Sequence, residues 1–217
     1  MRRLAFLAFL VASAAGCGGG KGSAPRQATN AAAPPTHAGL TVRAVRGEGF
    51  SIAVPKRWRS IDASTVLRGA YAKQFERDNP AAAGAVEALA RPNSPMKFVA
   101  IDPSGRQFAT NVNVLVSRIP ADASFDRWTR AETAEIAALK PTHLTRATVQ
   151  LSAGKGYRLA YHARLRIRGL PRELAIHQYM VKRGSSLYVI TFTTVAAEEA
   201  RLSGTFEASA RTFRITT

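Results

Sequence analysis

The stretch "GYRLAYHARLRIRGLPRELAIHQYMVKRGSSLYVITFTT", residues 156–194, decides the fold. Three apolar-rich runs, Gly156–Ile167, Glu173–Arg183 and Ser186–Thr194, are separated by short gaps at Gly169–Arg172 and Gly184–Ser185. β-Branched and aromatic residues fill the runs and glycine marks each gap, the pattern of consecutive strands joined by tight hairpins. Strands joined this way pair antiparallel. In the first run Tyr157, Tyr161, Leu165 and Ile167 fall on one parity, and Arg158, His162, Arg164, Arg166 and Arg168 on the other. Side chains alternate across a strand, so one face of this strand reads as apolar and the other as cationic.

The same reading extends in both directions. "LTRATVQL" (144–151) is a fourth strand, with a turn at Ala153–Lys155. In "GFSIAVPKRW" (49–58), Phe50, Ile52 and Val54 alternate with Ser51 and Ala53, and Pro55 ends the run. "KFVAIDPSG" (97–105) is a strand entering a turn. "TNVNVLVSRIP" (110–120) sets Val112, Val114 and Val116 on one side and Asn111, Asn113 and Leu115 on the other. Helical spacing appears in "SFDRWTRAETAEIAALKP" (124–141), where Phe125, Trp128, Ala131, Thr133, Ile136 and Leu139 form a stripe starting near Ser124 or Asp126 and stopping before Pro141. It also appears in "DASTVLRGAYAKQFERDNP" (62–80), in the shorter "AAAGAVEALARP" (81–92), and at the close of the chain, where Leu202, Phe206, Ala210 and Phe213 make an apolar stripe on a helix ending near Phe213. The sum is an α+β domain: an antiparallel sheet of about six strands with helices packed on it.

This domain occupies residues 41–217, and what precedes it is of another kind. The chain opens "MRRLAFLAFLVASAAGC", with Arg2 and Arg3 ahead of an apolar run from Leu4 to Val11 and small residues from Ala12 to Gly16. That order is the layout of a secretory signal over residues 1–16. The run is shorter than the ~20 residues a mature spanning helix needs. "AAGC" resembles the lipobox of bacterial lipoproteins, with Ala14 where leucine is commoner. The resemblance implies that Cys17, the one cysteine of the chain, carries a diacylglycerol after cleavage behind Gly16. Two acyl chains hold a domain at a membrane where one binds only marginally. With no second thiol there is no disulfide within the chain. Residues 17–40, rich in Gly, Ala, Pro, Ser and Thr, cannot bury a core and read as a tether.

Lys and Arg number 31 against 14 Asp and Glu, a formal charge of +17. Such a balance often points to nucleic acid. An exported protein meets little of it, so the expected polyanions are lipid headgroups and cell-wall polymers, with no nucleic acid. A GC-rich genome that favours arginine over lysine accounts for the same balance without any partner.

Taken together, "GFSIAVPKRW", "NVNVLVSRIPADASFDRW", "GYRLAYHARL…ELAIHQYMVKRGSSLYVITFT" and "ARTFRI", in this order, resemble the PsbP/Mog1-like fold and the small lipoproteins of LpqN and DcrB-like type. The resemblance covers nearly all of the folded part, and its motifs are structural. It implies a non-catalytic binding or adaptor domain, held outside the cytoplasm at the cell membrane by its lipid, and no common ligand or cofactor.

Candidate chemistry is sparse. His162 and His177 lie on consecutive strands, and a turn at Gly169–Leu170 sets them opposite one another. A zinc site needs three or four ligands, and the sequence offers no cysteine or close carboxylate to join them, so two sheet-surface histidines are the plainer reading and no metal is expected. No "GxSxG" elbow and no Walker loop occur, and Gly184–Ser186 reads as a hairpin turn. Glu198 and Glu199 read as first-turn acids favoured by the helix dipole. Arg158, Arg164, Arg166, Arg168, Arg172, Lys182 and Arg183 form the candidate docking face for anionic lipid, a cell-wall polymer or an envelope protein, against the alternative of a plain solvated sheet face. Two other function classes stay open: a carrier of a small apolar ligand between sheet and helices, and a hydrolase with an unrecognised site.

Overall fold

The computed structural model describes residues 39–45, 49–61, 73–74, 77–78, 94–105, 108–138 and 140–216. The signal and almost all of the tether lie outside these residues. So do the two helices expected between 62 and 92, of which only Lys73–Gln74 and Arg77–Asp78 are described, and these are helical.

The fold is α+β and antiparallel throughout, but the sheet is larger than expected. Seven strands form one sheet in the order β3-β4-β5-β9-β8-β7-β6. They are β3 (Arg59–Ile61), β4 (Met96–Ile101), β5 (Asn111–Arg118), β6 (Thr142–Leu151), β7 (Gly154–Ile167), β8 (Leu170–Arg183) and β9 (Ser186–Val195). A second sheet, in the order β1-β2-β10, joins β1 (Leu40–Val45), β2 (Phe50–Pro55) and β10 (Arg214–Ile215). Sequence reading missed β1, β3 and β10. The last two are three and two residues long, too short for a period to register. α1 (Phe125–Ala138) and α2 (Glu199–Arg211) pack on these sheets, the latter entered through a 3₁₀ turn at Ala196–Glu198.

The hairpins form where glycine permits. The β7–β8 turn is Arg168–Gly169, with φ of 52° and 75°. Two successive positive φ values give a turn whose twist matches that of the strands it joins. Further along β7, a Cβ on Gly156 would lie 2.4 Å from the Met180 carbonyl oxygen, so only glycine fits beside β8 there.

Both faces of the seven-stranded sheet are buried along its central strands. One lies under α1, with Leu115, Leu159, Tyr161, Leu174, Ile176, Met180 and Val189 facing Ile136. α1 starts at Ser124, whose hydroxyl accepts from the Arg127 N–H at 3.3 Å. Asp126 is then free to dock the helix: it accepts from the Tyr157 hydroxyl and from Arg146, each at 2.8 Å, and pairs with Arg130. The helix buries Thr129, Glu132 and Ile136, so the expected stripe is rotated: Ala131 is exposed and Glu132 takes its place inside. The other face carries α2 and the three-stranded sheet. Phe192 stacks on Phe206 at 5.0 Å, and Phe213 packs against Phe50 and Tyr188. The expected stripe of Leu202, Phe206, Ala210 and Phe213 is wholly buried here, although the helix ends at Arg211 and Phe213 belongs to the bend into β10.

Candidate functional site

The two histidines singled out from sequence converge on one carboxylate. The β7–β8 turn falls one residue earlier than expected, which shifts the pairing by two: Ala160 faces His177 and Ala175 faces His162. The two imidazoles are therefore diagonal neighbours on the α2 face rather than direct partners. Glu199, in the first turn of α2, reaches down between them. His162 Nε2 lies 2.7 Å from one carboxylate oxygen and His177 Nε2 lies 2.7 Å from the other. A carboxylate only accepts, so each ring donates from Nε2. His162 Nδ1 is 3.6 Å from Glu173, and the His143 ring lies 4.8 Å from the His162 ring. Three of the chain's four histidines thus share one cluster.

This corrects the surface-histidine expectation. His177 is 3% exposed, packed edge-on against Phe206, with Nδ1 buried and unpaired. Glu199 is the nearby carboxylate that sequence reading did not supply; it stands 22 residues from His177, and only the fold brings it close. Burial lowers the affinity of His177 for a proton, and the hydrogen bond to Glu199 only partly offsets that. For Glu199, burial raises the pKa, but the hydrogen bonds from His162 and His177 outweigh it and hold the carboxyl below its usual range. Among the described residues no group of three or more His, Cys, Asp or Glu side chains is placed to hold a metal ion. No serine, threonine or cysteine hydroxyl or thiol is hydrogen-bonded to either ring among the described contacts. The arrangement bolts the start of α2 to the middle of the sheet.

The candidate basic face does not assemble as one surface. Arg164 and Arg166 are exposed together on the α2 face of β7, with Glu173 opposite Arg164. Arg158 shares that face but is half-buried opposite Tyr179. Arg172 pairs with Leu165 and so points to the α1 face, as does Lys182, whose ammonium donates to the Ala121 carbonyl at 2.6 Å. Arg183 ends β8, about 36 Å along the strand from Arg172 at ~3.3 Å per residue. Strand parity separates Arg172 and Lys182 from the others, and strand length separates Arg183. What remains is a basic hairpin tip: Arg164, Arg166 and Arg168 beside an exposed Leu170. The tip is held by the Arg166 guanidinium donating to the Gly169 carbonyl and by the Gly169 N–H donating to Asp78.

A cleft of roughly 330 Å³ opens beside the start of α2, lined by Asp102, Ser104, Phe108, Thr110, Glu198 and Arg201 among others. Its polar groups satisfy one another. Asp102 accepts from Ser104 and pairs with Arg57 at 3.1 Å, Thr110 bonds Thr194, and Glu198 pairs with Arg201. Glu198 is thus an ion-pair partner of its own helix rather than a group aimed at the dipole alone.

Comparison with known proteins gives no family: no family model matches the chain, and no curated protein matches it. Solved structures do resemble it. The cyanobacterial PsbP of Synechocystis is 17% identical, with 86% of this chain and 98% of that one covered and a TM-score of 0.49. LpqN of Mycobacterium tuberculosis, described as involved in cell envelope biogenesis, is 11% identical over 82% of this chain and 92% of that one, at 0.48. The yeast Ran-binding protein Mog1p is 12% identical over 81% and 95%, at 0.44.

Proposed function

We propose that this chain is a lipid-anchored, extracytoplasmic protein whose α+β domain binds a partner without catalysis. The observation that carries the reading is the N-terminal order itself. A doubly basic start, an apolar run from Leu4 to Val11, the small residues before Cys17 and a tether end at the first strand, Leu40–Val45. The domain's chemistry supports the binding half of the reading: its best titratable cluster, His162–Glu199–His177, is tied up in mutual hydrogen bonds, and the groups of its cleft are paired with each other. The partner surface we favour is the β7–β8 tip, where Arg164, Arg166 and Arg168 stand beside Leu170. Arginine suits the phosphates of an anionic membrane and an exposed leucine suits its apolar interior.

Metabolic labelling with an alkyne fatty acid tests the anchor. The wild-type protein takes the label and sediments with membranes. Cys17→Ser is expected to lose the label and leave the membrane fraction. Equal labelling of Cys17→Ser overturns the assignment.

A further inference from the structure

One edge of the seven-stranded sheet is long and open. The sheet ends in β3, three residues, on one side and in β6, ten residues, on the other. The edges of the smaller sheet are β1, six residues, and β10, two. Among the described residues no strand pairs with the outer side of β6. All residues of β6 but Leu144, Val149 and Leu151 are exposed. Proteins guard such edges with proline, lysine, a bulge or a short strand. The first part of β6 is guarded in this way: Pro141 precedes it, its register slips between Thr142 and Thr145, and His143 has a φ of 56°. From Thr145 to Leu151 the register is unbroken and there is neither proline nor lysine. The one charge in that run, Arg146, is folded back over the Tyr157 ring onto Asp126.

The ladder fixes which backbone groups this edge offers. β6 and β7 are joined by the two-residue turn Ser152–Ala153, so Leu151 and Gly154 bond one another across it. Bonded and non-bonded pairs then alternate along the two strands. Thr145, Ala147 and Val149 turn their N–H and C=O groups to β7, and Arg146, Thr148 and Gln150 turn theirs outward. The next hairpin agrees. Ile167 and Leu170 close it, so the odd-numbered residues of β7 bond β8 and leave the even-numbered ones for β6. The outward residues present three donors and three acceptors in a line about 13 Å long, at ~3.3 Å per residue. Their side chains lie on the α1 face, since Arg146 pairs with Leu159, while Ala147 and Val149 lie on the α2 face.

We propose that Thr145–Leu151 of β6 is a self-pairing edge, which joins two copies of this chain antiparallel about a two-fold axis at Thr148. A two-fold contact requires that residue i meet residue j while j meets i. The unguarded run meets this requirement about its own midpoint. Thr148 of one copy faces Thr148 of the other, Ala147 faces Val149, Arg146 faces Gln150 and Thr145 faces Leu151. Threonines bond one another across strands, Ala147 and Val149 make an apolar pair, and the Gln150 amide oxygen accepts from the Arg146 guanidinium. Other axes fit worse. An axis at Ala147 draws the bulge into the ladder, one at Val149 carries Arg146 against the Ser152–Ala153 turn, and one at Arg146 sets two guanidinium groups face to face. The match of the run to its own reverse, with its single charge set against an amide, favours a second copy over an unrelated strand. The contact stands apart from the membrane anchor, and its failure leaves the Cys17 assignment untouched.

Thiol crosslinking of the full chain tests the register, in a Cys17→Ser background that leaves no other thiol. Facing Cα atoms of a hydrogen-bonded antiparallel pair are about 5.5 Å apart, within reach of a disulfide. Thr148→Cys is therefore expected to oxidise to a disulfide-linked dimer. Gln150→Cys, on the same exposed edge, is expected to stay unlinked, because its mate lies four residues, about 13 Å, further along the strand. Equal crosslinking at both positions, or none at Thr148→Cys, overturns the proposal. Sedimentation velocity of the Cys17→Ser chain is expected to show a dimer. Thr148→Pro removes an N–H that points away from β7, so it is expected to lose the dimer and keep the fold, as read by circular dichroism. Should that variant not fold, Thr148→Lys sets two like charges on the axis and is expected to shift the equilibrium to monomer. A dimer indifferent to these substitutions overturns the proposal. So does a monomer at every concentration, which would leave the edge to a strand of another protein.

Discussion

Glu132 and Glu199 are held in opposite directions by their surroundings. Burial first, then the neighbouring Glu135, pushes Glu132 up to about 8. The folded state therefore keeps a proton that the unfolded chain releases near pH 4.5, and stability falls as pH rises from there through 8. Glu132→Gln, which cannot ionise, is expected to unfold later in guanidinium by on the order of 3 kcal/mol at pH 7, with the gain shrinking toward zero near pH 4.5. Glu199 behaves the other way. Its depressed carboxyl contributes stability that is present above pH 4.5 and lost as pH falls through the folded value. His177 adds to the same slope, because burial makes the folded ring refuse a proton that the unfolded ring takes below about pH 6.5. Around these groups stand His162, Glu173, His143 and Arg158, so the acid limb belongs to the cluster. Glu199→Gln keeps one acceptor oxygen but turns a donor toward one imidazole, which is expected to cost about 1–3 kcal/mol at pH 7 and less below pH 4. Guanidinium midpoints of both variants between pH 4 and pH 8 check the pair: the two differences from wild type must have opposite sign at pH 7.

At the scale of elements, the β7–β8 hairpin shows what the sequence makes legible and what it hides. The period of two in residues 156–194 identifies β7, β8 and β9 and their antiparallel order, because burial of at least one face imposes that period. It cannot set the turn to the residue: Arg168 takes a left-handed conformation that β-rich context does not advertise, and one residue of error moves His162 and His177 from facing to diagonal. The apolar runs hide the converse point, that both faces of the central strands are covered, so Asn111 and Asn113, set opposite the valines by alternation, are buried as well. Of the seven basic residues assigned to one face, local alternation grouped Arg158, Arg164 and Arg166 correctly. It failed for Arg172, Lys182 and Arg183, whose placement depends on partner register and distance along the strand. The surviving tip makes a separable prediction for vesicles containing phosphatidylglycerol. Each arginine near an anionic surface contributes about 1 kcal/mol at low salt, so Arg164→Ser/Arg166→Ser/Arg168→Ser is expected to weaken binding about 100-fold and flatten its salt dependence. Leu170→Ser is expected to weaken binding while leaving the salt slope intact, since burial of an apolar side chain is not screened. Unchanged binding of both variants in flotation assays removes the tip as a docking element.

At the scale of the molecule, one sheet serves two cores, and the question is whether they stand or fall together. The α1 face gathers Leu159, Leu174, Met180 and Val189; the α2 face gathers Phe192, Phe206, Phe213 and the three-stranded sheet. The strands β5, β8 and β9 contribute alternate residues to both, so neither core survives loss of the shared backbone ladder. The fold therefore predicts a single cooperative transition, the ordinary behaviour of one domain of this size. The chain's two tryptophans report on the two sides: Trp58 is buried in the α2-face core and Trp128 packs against the α1-face core. In Trp58→Phe and Trp128→Phe the remaining fluorophore is expected to follow the same urea curve, coincident with circular dichroism. Leu174→Ala opens a cavity on the α1 face and is expected to cost about 2–5 kcal/mol; Phe206→Ala opens one on the α2 face at about 3–5 kcal/mol. The sheet lies between these side chains and they share no partner, so the two costs are expected to add to within about 0.5 kcal/mol in the double variant. Two separated transitions, with Trp128 lost before Trp58 in Leu174→Ala and the reverse in Phe206→Ala, would show two independently melting layers and break the single-domain reading.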